Sequence, residues 1–420
     1  MNEKKFDLKQ ILLDNAVLIL FVALSILGVC LSGMKLTALS YELMGRITRN
    51  AFIILALIIP IVAGMGINFA ITIGAMAAQI AILLTMNWRI PGIGGFLVTC
   101  AITAPLAALF GFLIGNLLNK MKGQEMIGTM ILGYFANGLY QLLFLYIFGT
   151  LIPIQNSDLT IVGSSGIRNT LDLSVSYGFK GALDNLIKLK FVPALYWFCG
   201  ALAVIYLVLF LLKKRSLSSL IKVLAIDAVA VGAVQIPAVA KVFSMTKVPM
   251  VTMIVVALLC LFNVAILRTR LGQRFRAVGQ NRAVANASGI NVNRTRIIAI
   301  MISTVLAGIG QVIFMQNFGA MQTYSAHEQV GLYAGAAILV GGASIVRATN
   351  AQAILGCILF HTLFIVAPQA GKTLFGDAAI GEYFRVFISY GVIALSLVLH
   401  GLRSIKAKNP ANAIQRAGKQ

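Results

Sequence analysis

The chain has 420 residues, of which 59% are hydrophobic and only 11% charged, with a mean hydropathy of +0.92. Soluble domains carry about 25% charged residues, so a soluble globule is excluded. The 34 basic and 12 acidic residues give a formal charge of +22. The cations sit in short runs between apolar segments, which membrane topology explains, so no nucleic-acid partner is expected. The five cysteines (Cys30, Cys100, Cys199, Cys260, Cys357) are scattered without metal-like spacing and read as small packing residues. His327, His361 and His400 form no cluster in sequence. No catalytic residue, metal site or cofactor is expected.

A membrane helix needs about 20 mostly apolar residues. Residues 1–15 are a polar N-terminus, and no small-residue cleavage site follows the first apolar run. Ala16–Ser32 therefore reads as a retained first span. Ala51–Ile67, Phe69–Met86, Gly95–Leu118 and Met126–Phe148 follow. Residues 149–191 read as an external loop containing Asp158, Ser164, Ser165, Asp172 and Asp184, with a short surface helix expected in it. Val192–Leu212, Ile221–Lys241 and Val248–Leu267 come next. Past the polar stretch 268–296 lie Ile297–Phe314, Gly331–Ile345, Ala351–Val366 and Tyr383–Gly401, then a basic tail, 403–420.

Residues 16–402 thus form one all-α, polytopic transmembrane bundle. Twelve crossings place both termini on one side, together with Lys4, Lys5, Lys9, Lys120, Lys122, Lys213 to Arg215 and the tail, and that side reads as cytoplasmic. Three stretches are irregular. Ile221–Lys241 holds Asp227 and Pro237, Phe69–Met86 follows Asn68 almost without a loop, and Gly331–Ile345 is short and glycine-rich. A half-helix or re-entrant piece is tolerated at membrane depth only when buried in protein or lining a cavity. About 10–12 crossings are expected.

Residues 268–296, RTRLGQRFRAVGQNRAVANASGINVNRTR, form a seven-arginine island between two spans. Ala283, Ala287 and Ile290 repeat at helical spacing, and Gly279 and Gly289 punctuate the run. A small apolar face rimmed by arginines suits a helix-in-groove contact with a cytoplasmic partner; the alternative is a solvated loop. The clustered glycines of residues 64–76 break an apolar region around Asn68. They mark either a helix break beside a solute path or close packing with Asn68 satisfied across an interface.

Glu125 opens a helix, where it complements the dipole. Tyr134, Asn137 and Gln141 then fall at i, i+3 and i+7 as one polar-aromatic stripe. The stripe lines a pathway for a polar ring compound or holds a helix interface together. Gln79, Asn116, Gln311 and Asn317 are further polar candidates within or beside spans. Asp227 either couples an ion, or pairs with Lys222 or sits near the headgroups. Gly371-Lys372-Thr373 lacks the earlier glycine of a phosphate loop, since Val366 stands there. Any nucleotide use therefore belongs to a partner.

Three motifs occur in order: GINFAITIGAMAAQIA, RAVGQNRAVANASGINVNRTR, and Leu339 to Ser344, LVGGAS. Together they resemble the permease subunits of ABC importers for simple sugars, nucleosides and branched-chain amino acids, over roughly Ala51 to Leu402. The resemblance implies a type II-like bundle in a bacterial cytoplasmic (inner) membrane, embedded in lipid. It also implies a second permease subunit, cytoplasmic ABC ATPases and an external solute-binding (lipo)protein as partners. The coupling helix would lie within 276–296, with Arg276, Gly279, Ala283, Ala287, Gly289 and Arg294 as ATPase-coupling residues. Asn68, Gln79, Tyr134, Asn137, Gln141 and Gln311 would line the translocation path. Gln124 to Ala136 is similar to a run of the nucleoside-type branch, but Gln124 and Gly133 replace its asparagines. A nucleoside or related ring compound is the favoured solute, with a ribose- or galactose-type sugar as the alternative. An ion-coupled secondary transporter using Asp227 is the alternative of another class.

Overall fold

The computed structural model describes residues 16–121, 123–161, 166–211 and 216–408. Expectations about residues 1–15, Lys122, Ser164, Ser165, Leu212 to Arg215 and 409–420 fall outside this set. Each of the twelve apolar stretches forms a helix. These are α1 (Ala16–Ser32), α2 (Leu36–Val62, with an irregular turn at Ala56–Leu57), α3 (Ile71–Asn87), α4 (Gly92–Lys120) and α5 (Glu125–Leu142, extended by a π turn at Leu143–Ile147). Then come α6 (Phe191–Leu211), α7 (Leu217–Gln235), the short α8 (Pro237–Val242) and α9 (Met250–Arg268). The arginine island folds into α10 (Arg270–Gln280) and α11 (Arg282–Ala287), and the chain ends with α12 (Val292–Phe318), α13 (Val330–Val340), α14 (Asn350–Phe375) and α15 (Ala378–Lys408).

Among the described residues nine helices are long and apolar enough to cross a membrane, while α1, α3 and α13 are shorter. Helix α2 begins well before the expected Ala51, because it carries its charges inside the bundle. Arg46 pairs with Glu42 at 3.9 Å, and the Arg46 and Arg385 guanidinium carbons lie 4.7 and 3.7 Å from the Phe364 ring centre. Pro237, which has no N–H to continue the ladder, ends α7 and opens α8. Asp227 does not pair with Lys222: no ion pair joins them among the described residues, and Asp227 Oδ2 has no hydrogen-bond partner. Residues five apart point to different helix faces, whereas three or four apart would meet.

Helix α12 is the axis of the bundle, packed on α2, α3 and α4. Small residues permit that approach. Cβ atoms added at Gly111 and Gly115 of α4 would sit 2.8 and 2.9 Å from the Cα atoms of Met301 and Ile297. This is the small-xxx-small contact by which helices associate in lipid, where no hydrophobic force draws them together.

Among its described residues the loop 149–191 holds no α-helix on the surface, contrary to expectation. It contains one 3-10 turn (Ser157–Leu159) and two short strands. Strand β1 (Thr170–Asp172) pairs antiparallel with β4 (Ala320–Gln322), and β2 (Lys188–Lys190) with β3 (Lys247–Pro249). Leu171 and Leu173 alternate inward, and with Phe179 and Leu183 they are buried on the bundle; an alternating pattern suits an extended chain and not a helix. Asp184, also buried, accepts from Thr252 Oγ1, Gln316 Nε2 and Asn317 Nδ2.

After β4 the chain re-enters the bundle as turns and continues into α13, whose 11 residues span about 17 Å at 1.5 Å each. That is short of the roughly 30 Å hydrocarbon core. Replacing Gly111 with valine should separate α4 from α12 and lower the melting temperature, by about 1–3 kcal/mol of stability for overpacking. A differential scan showing no change would contradict this account of the bundle axis.

Candidate functional site

A cavity of about 430 Å³ opens between α3, α5, α13 and the turns preceding α13. Its walls include Phe69, Thr72, Met76, Met130, Tyr134, Asn137, His327, Glu328 and Tyr390. Two expected path residues, Tyr134 and Asn137, line it, and a third, Gln79, stands behind it. They meet at a histidine that the sequence did not single out. His327 is fully buried; its Nδ1 lies 2.8 Å from Gln79 Oε1 and its Nε2 2.8 Å from Asn137 Oδ1. Tyr140 covers one side of the ring at a centroid distance of 4.5 Å.

The Asn137 contacts place one ring proton on Nε2. Asn137 Nδ2 donates to Glu328 Oε1 at 3.1 Å, so its Oδ1 faces the ring and Nε2–H donates to it. A neutral ring then presents a bare Nδ1. Turning the Gln79 amide by half a turn offers it Nε2–H, a donor otherwise without a partner. The result is a relay, Glu328 to Asn137 to His327 to Gln79, from an exposed carboxylate to the bundle interior. Glu328 is the one carboxylate among the described lining residues, and neither lysine nor arginine is among them. Such a wall repels anions and offers hydrogen bonds and aromatic surface to an uncharged ring.

The remaining expected path residues lie apart from it. Gln311 is buried beneath the re-entrant turns, where its Nε2 donates to the Ala326 carbonyl at 3.2 Å. Asn68 accepts from Ala70 N and donates to Ser303 Oγ, which starts α3 and fastens it to α12. Gln141 is half-buried and does not line the cavity. His327, Glu328 and Thr72 were not anticipated. The signal for His327 and Glu328 was the polar run Thr323 to Gln329 immediately ahead of the glycine-rich half-helix, and Thr72 lies within the glycine-broken run 64–76.

The arginine end is built from three caps. Thr269 Oγ1 accepts from Gly272 N, Asn281 Oδ1 from Ala283 N and Val284 N, and Asn291 Oδ1 from Arg294 N. Each satisfies N–H groups that a helix start leaves open. Gly289, at φ +79°, turns the chain from α11 into α12. Ala283, Val284 and Ala287 face outward and Ala285 inward, while Ile290 is half-buried. The exposed apolar face is thus Ala283-Val284-Ala287, with Arg276 and Arg294 exposed around it.

Gly279 presses on the break after α2. A Cβ there would lie 2.2 Å from the Val62 carbonyl oxygen and 3.1 Å from Gly64 N. Beside it, Glu125 holds two cations. Arg282 Nη1 and Arg296 Nη2 each lie 2.6 Å from Glu125 Oε1, and Arg282 Nη2 also donates to the Gly64 carbonyl at 3.1 Å. The Arg296 side chain is 1% exposed and that of Arg282 35%. Removing one partner of a fully buried pair costs about 3–5 kcal/mol because a bare charge remains. Loss of Arg282 leaves Glu125 and Arg296 balanced.

A family profile described as branched-chain amino acid transport system / permease component matches residues 43–398. The chain is 33% identical over 135 residues to the nucleoside ABC transporter permease protein NupC of Lactococcus lactis subsp. cremoris, covering 32% of this chain and 41% of that protein. It is 35% identical over 159 residues to the autoinducer 2 import system permease protein LsrC of Klebsiella pneumoniae, covering 37% and 44%. Against the ribose import permease protein RbsC of Escherichia coli K12 it is 30% identical over 131 residues, covering 31% and 39%. The matching region spans less than half the length of these relatives. No solved structure matches the chain. Nine long apolar helices and the profile match over most of its length make this a multi-pass membrane protein, and the chain belongs to the branched-chain amino acid transport system permease component family.

Proposed function

We propose that this chain is the transmembrane permease subunit of an ABC importer, carrying a small uncharged ring solute, a nucleoside or close relative, into the cytoplasm. The observation that carries the reading is the wall of the 430 Å³ cavity: aromatic and amide groups, one carboxylate and no cation. The relatives' names, for nucleoside, ribose and autoinducer 2 permeases, support the same class of cargo. The arginine-rich end faces the cytoplasm of a bacterial inner membrane by the positive-inside rule, and both termini lie on that side.

There α11 offers its Ala283-Val284-Ala287 face, bordered by Arg276 and Arg294, to a cytoplasmic ATPase as a helix seated in a groove. An external solute-binding lipoprotein delivers the solute at the opposite end. A second permease subunit covers the outward face of α5, where Ile127, Ile131, Phe135 and Leu139 are each more than half exposed. An ion-coupled carrier gains no support, because Asp227 sits on α7, which packs on α6 and α8 away from the cavity.

The test is reconstitution of the complex in vesicles with a screen of nucleosides, sugars and vitamins for ATP-dependent uptake. Ala287→Trp overfills the docking face and should abolish uptake while leaving the protein folded; normal uptake would remove α11 from the coupling contact. Asn137→Leu should cut uptake up to about tenfold, the worth of one hydrogen bond, with assembly intact. Unchanged uptake would assign Asn137 to helix packing.

A further inference from the structure

We propose that Arg282 and Glu125 form the joint through which movement of the exposed α11 reaches the solute cavity. The inference rests on the permease reading above and assigns roles to residues outside both the docking face and the cavity wall. Arg282 is the first residue of α11. One arm of its guanidinium holds Glu125, the first residue of α5. The other arm holds the Gly64 carbonyl, in the bend that leads into α3. Helix α5 carries Tyr134 and Asn137 to the cavity, and α3 carries Thr72, Met76 and Gln79. One side chain therefore grips the roots of two of the helices that wall the cavity.

The reach is short and stiff. Asn137 stands about 18 Å along the α5 axis from Glu125 at 1.5 Å per residue, so a shift at the carboxylate moves the far end as a rod. A second contact removes slack, since the Gly279 backbone at the end of α10 lies directly on Val62 and Gly64. The planar, two-armed guanidinium suits this task, because the single compact head of a lysine lacks the fork that spans both oxygens.

The two cations on Glu125 are not equivalent. Arg296 belongs to α12, the static axis, and is sealed from solvent; Arg282 rides on the outward helix and is one-third exposed. Two guanidiniums share one carboxylate oxygen, so each weakens the other's hold. Release of Arg282 leaves a neutral buried pair behind, whereas release of Arg296 would strand a buried charge. The site thus has an exchangeable contact on the motor side and a permanent one on the bundle side, which gives α5 two arrangements for a partner to choose between.

The experiment uses the complete complex with its ATPase and binding protein in vesicles, measuring solute taken up per ATP hydrolysed together with the melting temperature. Arg282→Gln should assemble and melt with the wild type, while uptake per ATP falls roughly tenfold. Arg282→Lys, which keeps the charge but not the fork, should recover only part of the ratio. A merely structural role would move the melting temperature and leave the ratio of surviving complexes alone. Arg282→Gln or Arg282→Lys with the wild-type ratio overturns the joint. Wild-type complex with no ATP-dependent uptake of any screened solute overturns instead the transport reading on which it rests.

Discussion

The absence of water in hydrocarbon sets what this chain can do at membrane depth. Every backbone N–H and C=O there must find a partner within the protein, and the segment between β4 and α13 is not helical. Its carbonyls are claimed by side chains of neighbouring helices: Tyr140 Oη donates to Thr323 and Gln311 Nε2 to Ala326. Thr323 N donates to the Asn169 carbonyl of the 149–191 loop. Because these partners come from α5, α12 and the 149–191 loop, the irregular segment and the bundle fix one another. The cavity is the space left where a helix would otherwise have run.

The same economy governs charge. The wall of the cavity holds Glu328, and the arginine end has Glu125 between two guanidiniums. Farther out in the bundle, Arg46 and Arg385 stack on Phe364 beside Glu42 and Glu382. Each carboxylate of these groups thus stands beside a cation or an amide donor, which lowers the cost of holding a charge beside apolar helices. With 12 acids in 420 residues, those placed inside the bundle are positioned with care, and the unpaired Oδ2 of Asp227 on the peripheral α7 contrasts with them.

Glycine connects the two ends. Close contacts at Gly111 and Gly115 seat α4 on the axis, and the contact of Gly279 with Gly64 brings the arginine-rich hairpin onto the bend ahead of α3. The second contact relates α10 and α11 to the bend ahead of α3, because it leaves no room for the hairpin to move without the bend.

Much of this was legible in the order of residues. Apolar run length placed the twelve helices, since burial of about 20 apolar residues is a local property. The turn that ends α11 was visible in Gly289, whereas the caps Asn281 and Asn291 were not singled out, although capping acts within three residues. Helical spacing put Tyr134 and Asn137 on one face. What tertiary structure alone decided was which polar groups meet. His327 lies 248 residues from Gln79 and 190 from Asn137, and Glu125 lies 171 from Arg296. No periodicity encodes such distances. They follow from which glycines let which helices approach, a matter of packed volume in three dimensions.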